Sequence, residues 1–227
     1  VILPQIHAAV ERHGFEAELL MRLKFTRFQG LVHLAAFAPL VVLIIQAIAD
    51  RLTANPIQAI TQRTGQAAVI GLLLTLACTP INTITGWRAV LTVRRALGLW
   101  AGFYALLHFL TFAMLDYGLD LRQIGRAILE KPFILVGLIT LLLLIPLAIT
   151  STRAAMRKMG ARWKKLHRLS YLAAVLAVIH YLLAAKADFA AQPLIYGSIL
   201  GLLMMLRIKP VRQWFIRRRA SAATAED

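Results

Sequence analysis

Six long runs free of Lys, Arg, Asp and Glu dominate this sequence of 227 residues. A helix that crosses a membrane needs about 20 mostly apolar residues, and a chain with 59% hydrophobic residues is too apolar for a soluble globule or a disordered protein. The runs are continuously apolar, which favours helices over the alternating strands of a barrel. We therefore predict an all-α polytopic membrane protein, a bundle of six transmembrane helices. The predicted spans are Leu31–Ala49, Ala67–Ile84, Leu97–Leu115, Pro132–Ser151, Leu169–Ala185 and Pro193–Leu206.

Lys and Arg residues are unequally divided between the connections. Of the 26, 20 lie in the N-terminal segment, the second and fourth connections and the C-terminal segment. Short basic connections stay on the cytoplasmic side, so both termini are predicted to be cytoplasmic. The tryptophans lie in or beside the same basic segments, as expected for rings that settle at one membrane interface. They are Trp87, Trp100, Trp163 and Trp214.

The chain is predicted to form one membrane domain, because no flexible linker and no evident internal repeat divides it. We expect an N-terminal cytoplasmic extension at 1–26, the transmembrane domain at 27–210 and a basic cytoplasmic tail at 211–227. His7 and His13 belong to the extension and are predicted to be solvated.

The predicted spans contain no Lys, Arg, Asp or Glu, but some of them contain histidine. Ionisable side chains inside a membrane mark functional sites by default. His108 is eleven residues past Leu97, and His180 is eleven residues past Leu169. Both spans run outward from the cytoplasm, so each histidine lies about 16 Å from the cytoplasmic boundary. Two imidazoles at one depth can hold a metal between two helices.

The donor set favours haem over a bare metal ion. A zinc ion takes three or four protein ligands, whereas the single cysteine, Cys78, and the carboxylates offer none nearby. Haem requires only axial ligands from the protein. Small residues on the same helical faces, Ala101 and Ala105 beside His108 and Ala173 and Ala177 beside His180, are predicted to leave room for a macrocycle. The alternative is that each histidine simply forms a hydrogen bond across helices; the matched depth favours ligation.

His167 and His33 are further candidates near the cytoplasmic side. His167 precedes His180 by 13 residues, about 20 Å along a helix, and points about 140° away from it. It is predicted either to serve a second, inner centre or to contact lipid headgroups. His33 lies at a similar depth and is the candidate for a second histidine at such an inner centre. The favoured alternative is that His33 simply packs at the membrane interface.

The fourth connection, Arg153 to Arg168, interleaves cations with apolar residues. We predict a cytoplasmic amphipathic segment that binds anionic membrane lipid rather than nucleic acid, with docking of a flavin nucleotide or an acidic electron donor as the alternative. No Gly-rich nucleotide motif is present, so the chain carries no NAD(P)H-binding domain.

Two other functions compete with electron transfer. A small transporter or proton pathway would use the intramembrane histidines as relays. Pro39, Pro80 and Pro146 are compatible with it, although the paired broken helices typical of transporters are missing. A purely structural scaffold is the second rival.

Two histidine-bearing segments carry a family resemblance. They read RRALGLWAGFYALLHFLTFAMLDYGLD (Arg94 to Asp120) and TSTRAAMRKMGARWKKLHRLSYLAAVLAVIHYLLAAK (Thr150 to Lys186). With the later QPLIYGSIL, they resemble the MsrQ family, formerly called YedZ, within the ferric reductase-like transmembrane superfamily. The resemblance extends over about Phe25 to Phe215.

The resemblance implies a b-type cytochrome of the bacterial inner membrane that binds one haem b, or two, and also FMN. It would carry electrons from a cytoplasmic flavin reductase to a periplasmic molybdopterin subunit that reduces methionine sulfoxide in proteins. Such a chain is the electron-delivering subunit of an oxidoreductase rather than its catalytic subunit.

The family's ligands fall on His108, His167 and His180. Two-haem relatives carry another histidine earlier in span three, where this chain has Arg94 and Arg95. The resemblance therefore leaves the inner centre open between a second haem and a flavin.

Overall fold

The computed structural model describes residues 27–185 and 191–223, and all regular structure in those residues is helical. This confirms the predicted all-α class. The predicted extension at 1–26, including His7 and His13, and the last residues of the predicted tail lie outside the described residues. In chain order the helices are α1 (Arg27–Ile48), α2 (Pro56–Thr85), α3 (Ala89–Leu110), α4 (Leu121–Glu130), α5 (Pro132–Ile149), α6 (Arg153–Met159), α7 (Ala161–Leu166), α8 (Leu169–Ala184), α9 (Ala191–Met205) and α10 (Lys209–Ala223).

Five helical stretches of the described chain are long and apolar enough to cross a membrane, and a sixth results if α9 and α10 are counted as one bent span. The two helices of that pair meet at an angle of 70°. Helices α7 and α8 together form the fifth stretch, Ala161–Ala184, which begins before the predicted start at Leu169. The structure therefore agrees with a multi-pass membrane protein.

Helix α2 is much longer at its start than the predicted span. The side chain of Asn55 caps it by accepting a hydrogen bond from the backbone N–H of Gln58, and Pro56 occupies the first turn. Both features stabilise a helix start. At the other end Gly86, with φ 76°, takes the left-handed conformation that terminates helices. The polar residues of the first turns hid this extension from a search for apolar runs.

The core lies where residues of α2, α3, α5, α8 and α9 pack together, with α2 against α3, α8 and α9 and α5 against α3 and α8. Ala101 of α3 and Ala173 of α8 are completely buried there, and Leu76 of α2 is 1% exposed. Large apolar side chains instead cover the outside of the bundle, as expected for a surface in contact with lipid. Helix α1 is peripheral, and Tyr104 of α3 ties it to the bundle by donating a hydrogen bond to the carbonyl oxygen of Ala36.

The two ends of the bundle differ in charge. We call the inner end the one where α1, α3 and α8 begin and α2, α5 and α9 end, and the outer end the opposite one. Of the 22 Lys and Arg among the described residues, 17 lie at the inner end. The carboxylates of the described chain all lie at the outer end, at Asp50, Asp116, Asp120 and Glu130. At that end Asp120 caps α4, and hydrogen bonds from Gln123 hold the pKa of its carboxyl below the ordinary value.

Candidate functional site

His108 and His180 face each other between α3 and α8. Their ring centroids are 5.9 Å apart, and their planes meet at 79°. The equal number of residues from the start of each span predicted that His108 and His180 lie at one depth, and their side chains do lie next to each other. Just beyond His108, the helix widens into a π-helical turn over Thr111–Asp116, a local irregularity that is common at functional sites.

Each of these imidazoles is anchored by a backbone carbonyl. Nδ1 of His108 lies 2.8 Å from the carbonyl oxygen of Thr61, and Nδ1 of His180 lies 2.6 Å from that of Phe133. A carbonyl oxygen can only accept, so Nδ1–H is the donor in both cases and each neutral ring carries its lone pair on Nε2. This is the second-shell arrangement by which proteins orient metal-binding histidines.

Glycines on the neighbouring helices make room for both rings. A Cβ at Gly65 of α2 would lie 3.1 Å from Nδ1 of His108, and one at Gly137 of α5 would lie 2.7 Å from Cε1 of His180. The contact at position 137 is too close for any Cβ, whereas the one at position 65 needs a shift of a few tenths of an ångström. Each glycine stands four residues, one helical turn, after the carbonyl that anchors the ring.

The spacing of the rings fits a pair of axial haem ligands. Imidazole nitrogens bind metal ions at about 2.0–2.1 Å and lie about 1.1 Å from the ring centroid, so two axial imidazoles on one iron have centroids about 6.2–6.4 Å apart. The 5.9 Å observed is close to that value. Among the described residues, no group of three or more His, Cys, Asp or Glu side chains could hold a bare metal ion. The donor chemistry at this site thus suits a haem.

Comparison with known proteins identifies the family of this chain. The family described as "Ferric reductase like transmembrane component" matches residues 64–178, a range that includes His108 and ends within α8, two residues before His180. A protein of Herminiimonas arsenicoxydans named "Protein-methionine-sulfoxide reductase heme-binding subunit MsrQ" is 39% identical over 206 residues, covering 89% of this chain and 94% of the relative. The chain belongs to the MsrQ family.

Other MsrQ proteins are equally similar. The protein of that name from Rhodospirillum rubrum is 45% identical over 191 residues, covering 84% of this chain and 89% of the relative. The one from Pectobacterium carotovorum is 40% identical over 191 residues, covering 84% and 96%. No solved structure matches the chain significantly.

His167 lies apart from the histidine pair in this MsrQ chain. Its ring stacks on Trp163 at a centroid distance of 3.9 Å, and its Nδ1–H donates to the carbonyl oxygen of Trp163. Nε2 is 3.4 Å from the hydroxyl of Ser151. The backbone of Leu147 also forms a hydrogen bond with this ring, so His167 is engaged by the protein on both sides. No second histidine faces it among the described residues.

His33 is engaged elsewhere. The indole N–H of Trp100 donates to its Nδ1 at 3.0 Å, so this nitrogen is the acceptor and the neutral ring carries its proton on Nε2. Among the described residues neither His33 nor His167 contacts another histidine, and the structure does not bring these two together.

The contacts of the MsrQ chain repeat although no repeat was evident in the sequence. Each histidine of the pair bonds to a carbonyl 47 residues earlier, and the α2–α3 hairpin corresponds to the α5–α8 hairpin at an offset of 72 positions. Ala101 and Ala173 correspond in this way, and both are fully buried in helix packing. Ala101 lies against Gly71 of α2, so this part of the small face serves helix contact rather than open space.

Proposed function

We propose that this chain is a b-type cytochrome subunit in which His108 and His180 hold one haem between α3 and α8. The observation that carries the proposal is the facing pair of imidazoles, with centroids 5.9 Å apart and each ring anchored through Nδ1 so that its lone pair is on Nε2. The relatives are named haem-binding subunits, which supports the same assignment.

The protein's part in this function is to orient the two imidazoles, to tune the reduction potential and to exclude water from the site. When bound, a haem supplies a one-electron carrier midway through a hydrocarbon layer about 30 Å thick. The carbonyls of Thr61 and Phe133 make the imidazoles more basic ligands and fix their orientation. Exclusion of water by the surrounding helices lowers the local dielectric constant, which also affects the reduction potential.

We further propose the direction of electron flow. Cations concentrate at the inner end, which the positive-inside rule assigns to the cytoplasm of a bacterial inner membrane, with both termini on that side. Electrons would enter there from a cytoplasmic flavin reductase and leave at the outer end to a periplasmic molybdopterin methionine sulfoxide reductase. The names of the relatives support a place in a methionine sulfoxide reductase system.

At the inner end we propose FMN, rather than a second haem, as the relay. The position that corresponds to His167 at the 72-residue offset is Arg95, not a histidine. Nδ1 of His33 accepts a hydrogen bond from the indole N–H of Trp100. A second pair of axial histidines is therefore missing from the described residues. His167 remains a predicted cofactor-binding residue, with its Nε2 3.4 Å from the hydroxyl of Ser151.

Absorption spectroscopy of the purified chain tests the haem proposal. Protein made in haem-sufficient cells should show a Soret band that shifts on reduction with dithionite, with about one haem per chain. His108→Ala and His180→Ala should each remove most of the haem, while the matched control His33→Ala should retain it. Normal haem in both ligand variants, or a colourless wild type, would reject the proposal; the colourless result would favour a transporter.

Chemical rescue separates ligation from folding. In His180→Gly, added imidazole can occupy the emptied position, so we expect the haem spectrum to return when imidazole is supplied during reconstitution. A variant that recovers no haem with imidazole, although it remains monodisperse and helical, would argue that His180 has only a structural role.

Coupling to the partners is tested in proteoliposomes. Haem in the oriented chain should be reduced by a flavin reductase and NADPH on the side of the termini, and reoxidised by a molybdopterin methionine sulfoxide reductase added on the other side. Reduction only from the opposite side would contradict the proposed direction.

A further inference from the structure

A cavity of about 200 Å³ opens at the inner end, away from the histidine pair. Its polar lining comes from Thr79 and Thr83 of α2, Tyr171 of α8, and two arginines, Arg207 between α9 and α10 and Arg212 of α10. Three helices and a bend thus converge on a small, polar, positively charged space. The proposed haem ligands do not use it.

Arg207 is held in place by an unusual feature of α2. Pro80 has no backbone N–H, so the carbonyl oxygen of Leu76, four residues earlier, lacks its helical donor. One nitrogen of Arg207 donates to this oxygen, and another donates to the hydroxyl of Tyr171 at 2.7 Å. The guanidinium is therefore fixed at the cavity wall.

Arg207 has more N–H groups than the two that bond to Leu76 and Tyr171. Its Nε–H is buried and has no hydrogen-bond partner in the described residues. Buried polar groups without partners are rare in native proteins, and a water or ion is a common explanation. The partners of the Arg207 guanidinium in the described residues are a neutral carbonyl and a neutral hydroxyl, so its charge is not neutralised by them.

No carboxylate of the described residues balances the positive charge around the cavity. Arg94 of α3 donates to the hydroxyl of Thr79 at 3.4 Å and interacts electrostatically with Arg207. The carboxylates of the described chain are all at the opposite end of the bundle. Like charges brought together in a partly buried place are destabilising unless an anion balances them.

We propose that this cavity binds a phosphate group. Guanidinium groups recognise phosphate oxygens by charge-assisted hydrogen bonds. The hydroxyls of Thr79 and Tyr171, which accept from arginines, can donate their O–H groups to the phosphate as well. Sites for whole small molecules measure about 300–1,000 Å³, so the space suits a phosphate group whose remaining part extends outside. The shared chemistry is that of a phosphate ester, either of FMN or of a phospholipid headgroup. The FMN source rests on the proposed function, whereas the site itself does not.

Two binding measurements on the full-length chain distinguish the sources. Protein purified in a phosphate-free detergent and buffer is titrated with FMN and, separately, with riboflavin, which has the same ring without phosphate; binding is followed by flavin fluorescence. Parallel samples are incubated with phosphatidylglycerol, and the lipid retained after gel filtration is quantified. Inorganic phosphate should compete with the bound ligand in whichever measurement is positive.

Variants identify the residues. Arg212→Gln and Arg207→Gln should each weaken binding by about tenfold or more, because each removes charge-assisted contacts. Arg218→Gln is the matched control: it removes the same charge from the same helix, but Arg218 lies over the ring of Trp214 rather than on the cavity. Arg212 makes no side-chain hydrogen bond to the described protein, so its replacement tests the site even if Arg207→Gln perturbs folding.

These binding measurements decide whether the cavity binds a phosphate group. Phosphate-dependent retention of FMN or of phosphatidylglycerol that is lost in Arg212→Gln and kept in Arg218→Gln supports the site and names the source. Equal binding of riboflavin and FMN without lipid retention, or unchanged binding in both cavity variants, overturns it. The haem spectrum is expected to stay unchanged throughout, so failure here is distinguishable from failure of the haem proposal.

Discussion

Gly137 of α5 and the ring of His180 of α8 are packed so closely that a Cβ at position 137 would lie 2.7 Å from Cε1 and 2.8 Å from Nδ1 of the ring. The same glycine lies one turn after Phe133, whose carbonyl oxygen accepts from that Nδ1. The helix that anchors His180 therefore also limits where its ring can lie. Gly65 plays the corresponding part for His108 with more space, 3.1 Å.

This difference predicts a graded effect of adding one methyl group. Gly137→Ala must displace the ring of His180, because the 2.7 Å contact is shorter than Cβ atoms tolerate. We expect it to lower haem content several-fold or to move the Soret band. Gly65→Ala needs a shift of only a few tenths of an ångström and should keep most of the haem.

Haem-to-protein ratios and reduced-minus-oxidised spectra check this order. Gly201→Ala is the control, since nothing lies within 4 Å of a Cβ placed there. If Gly65→Ala and Gly137→Ala both match wild type, the packing of the two rings does not govern ligation.

His167→Ala is expected to behave differently from the variants of the central pair. His167 contacts Trp163 and Ser151 near the inner end rather than the other histidines. We therefore predict that more than half of the haem is retained, with a shifted potential or a loss of bound FMN. Redox titration and flavin extraction measure these effects. Haem loss as complete as that of His180→Ala would instead make His167 a ligand of the same haem.

The sequence was sufficient to predict the approximate positions of the apolar spans and the matched depth of His108 and His180, because both follow from counting residues along helices. Apolar run length is a direct consequence of membrane thickness, and a constant rise per residue turns equal spacing from Leu97 and Leu169 into equal depth. The structure then placed His108 and His180 ring to ring.

The carbonyls and glycines around the pair were not predicted, because they depend on which helix lies next to which. Thr61 and Gly65 also fall in the polar first turns of α2, outside the apolar run. A signal was nevertheless present: the motif Ala-x3-Ala-x2-His occurs at Ala101 and again at Ala173. Searching 43 positions before each histidine, where Gly65 and Gly137 stand, would have indicated the repeated hairpin.

A polar cluster at the outer end is expected to hold α2, α8 and α9 together. Tyr181 donates to the side-chain oxygen of Gln192 at 2.7 Å, and the amide of Gln66 donates to both of them. Hydrogen bonds between membrane helices contribute about 0.6 kcal/mol on average and up to about 1.7. Tyr181→Phe should therefore lower the free energy of unfolding by about 1 kcal/mol while leaving the haem spectrum intact.

Unfolding of the detergent-solubilised protein by a denaturing detergent measures this effect. Tyr196→Phe is a suitable control, because its ring lies 5.9 Å from that of Tyr181 but its hydroxyl has no hydrogen-bond partner among the described residues. Equal stability of the two variants would show that the cluster contributes nothing measurable.

Arg207 supplies the hydrogen bond that Pro80 removes from the carbonyl oxygen of Leu76. The effects of substituting these two residues on the free energy of unfolding should therefore be coupled. In wild type, Arg207→Gln leaves the carbonyl oxygen of Leu76 without any donor, and an unsatisfied buried acceptor costs about 1–3 kcal/mol. In Pro80→Ala, the new backbone N–H can bond to that oxygen, so the same Arg207→Gln substitution should cost less. A double-mutant cycle should therefore give a coupling energy of about 1 kcal/mol or more. Strictly additive effects would mean that Arg207 does not replace the hydrogen bond that Pro80 removes from α2.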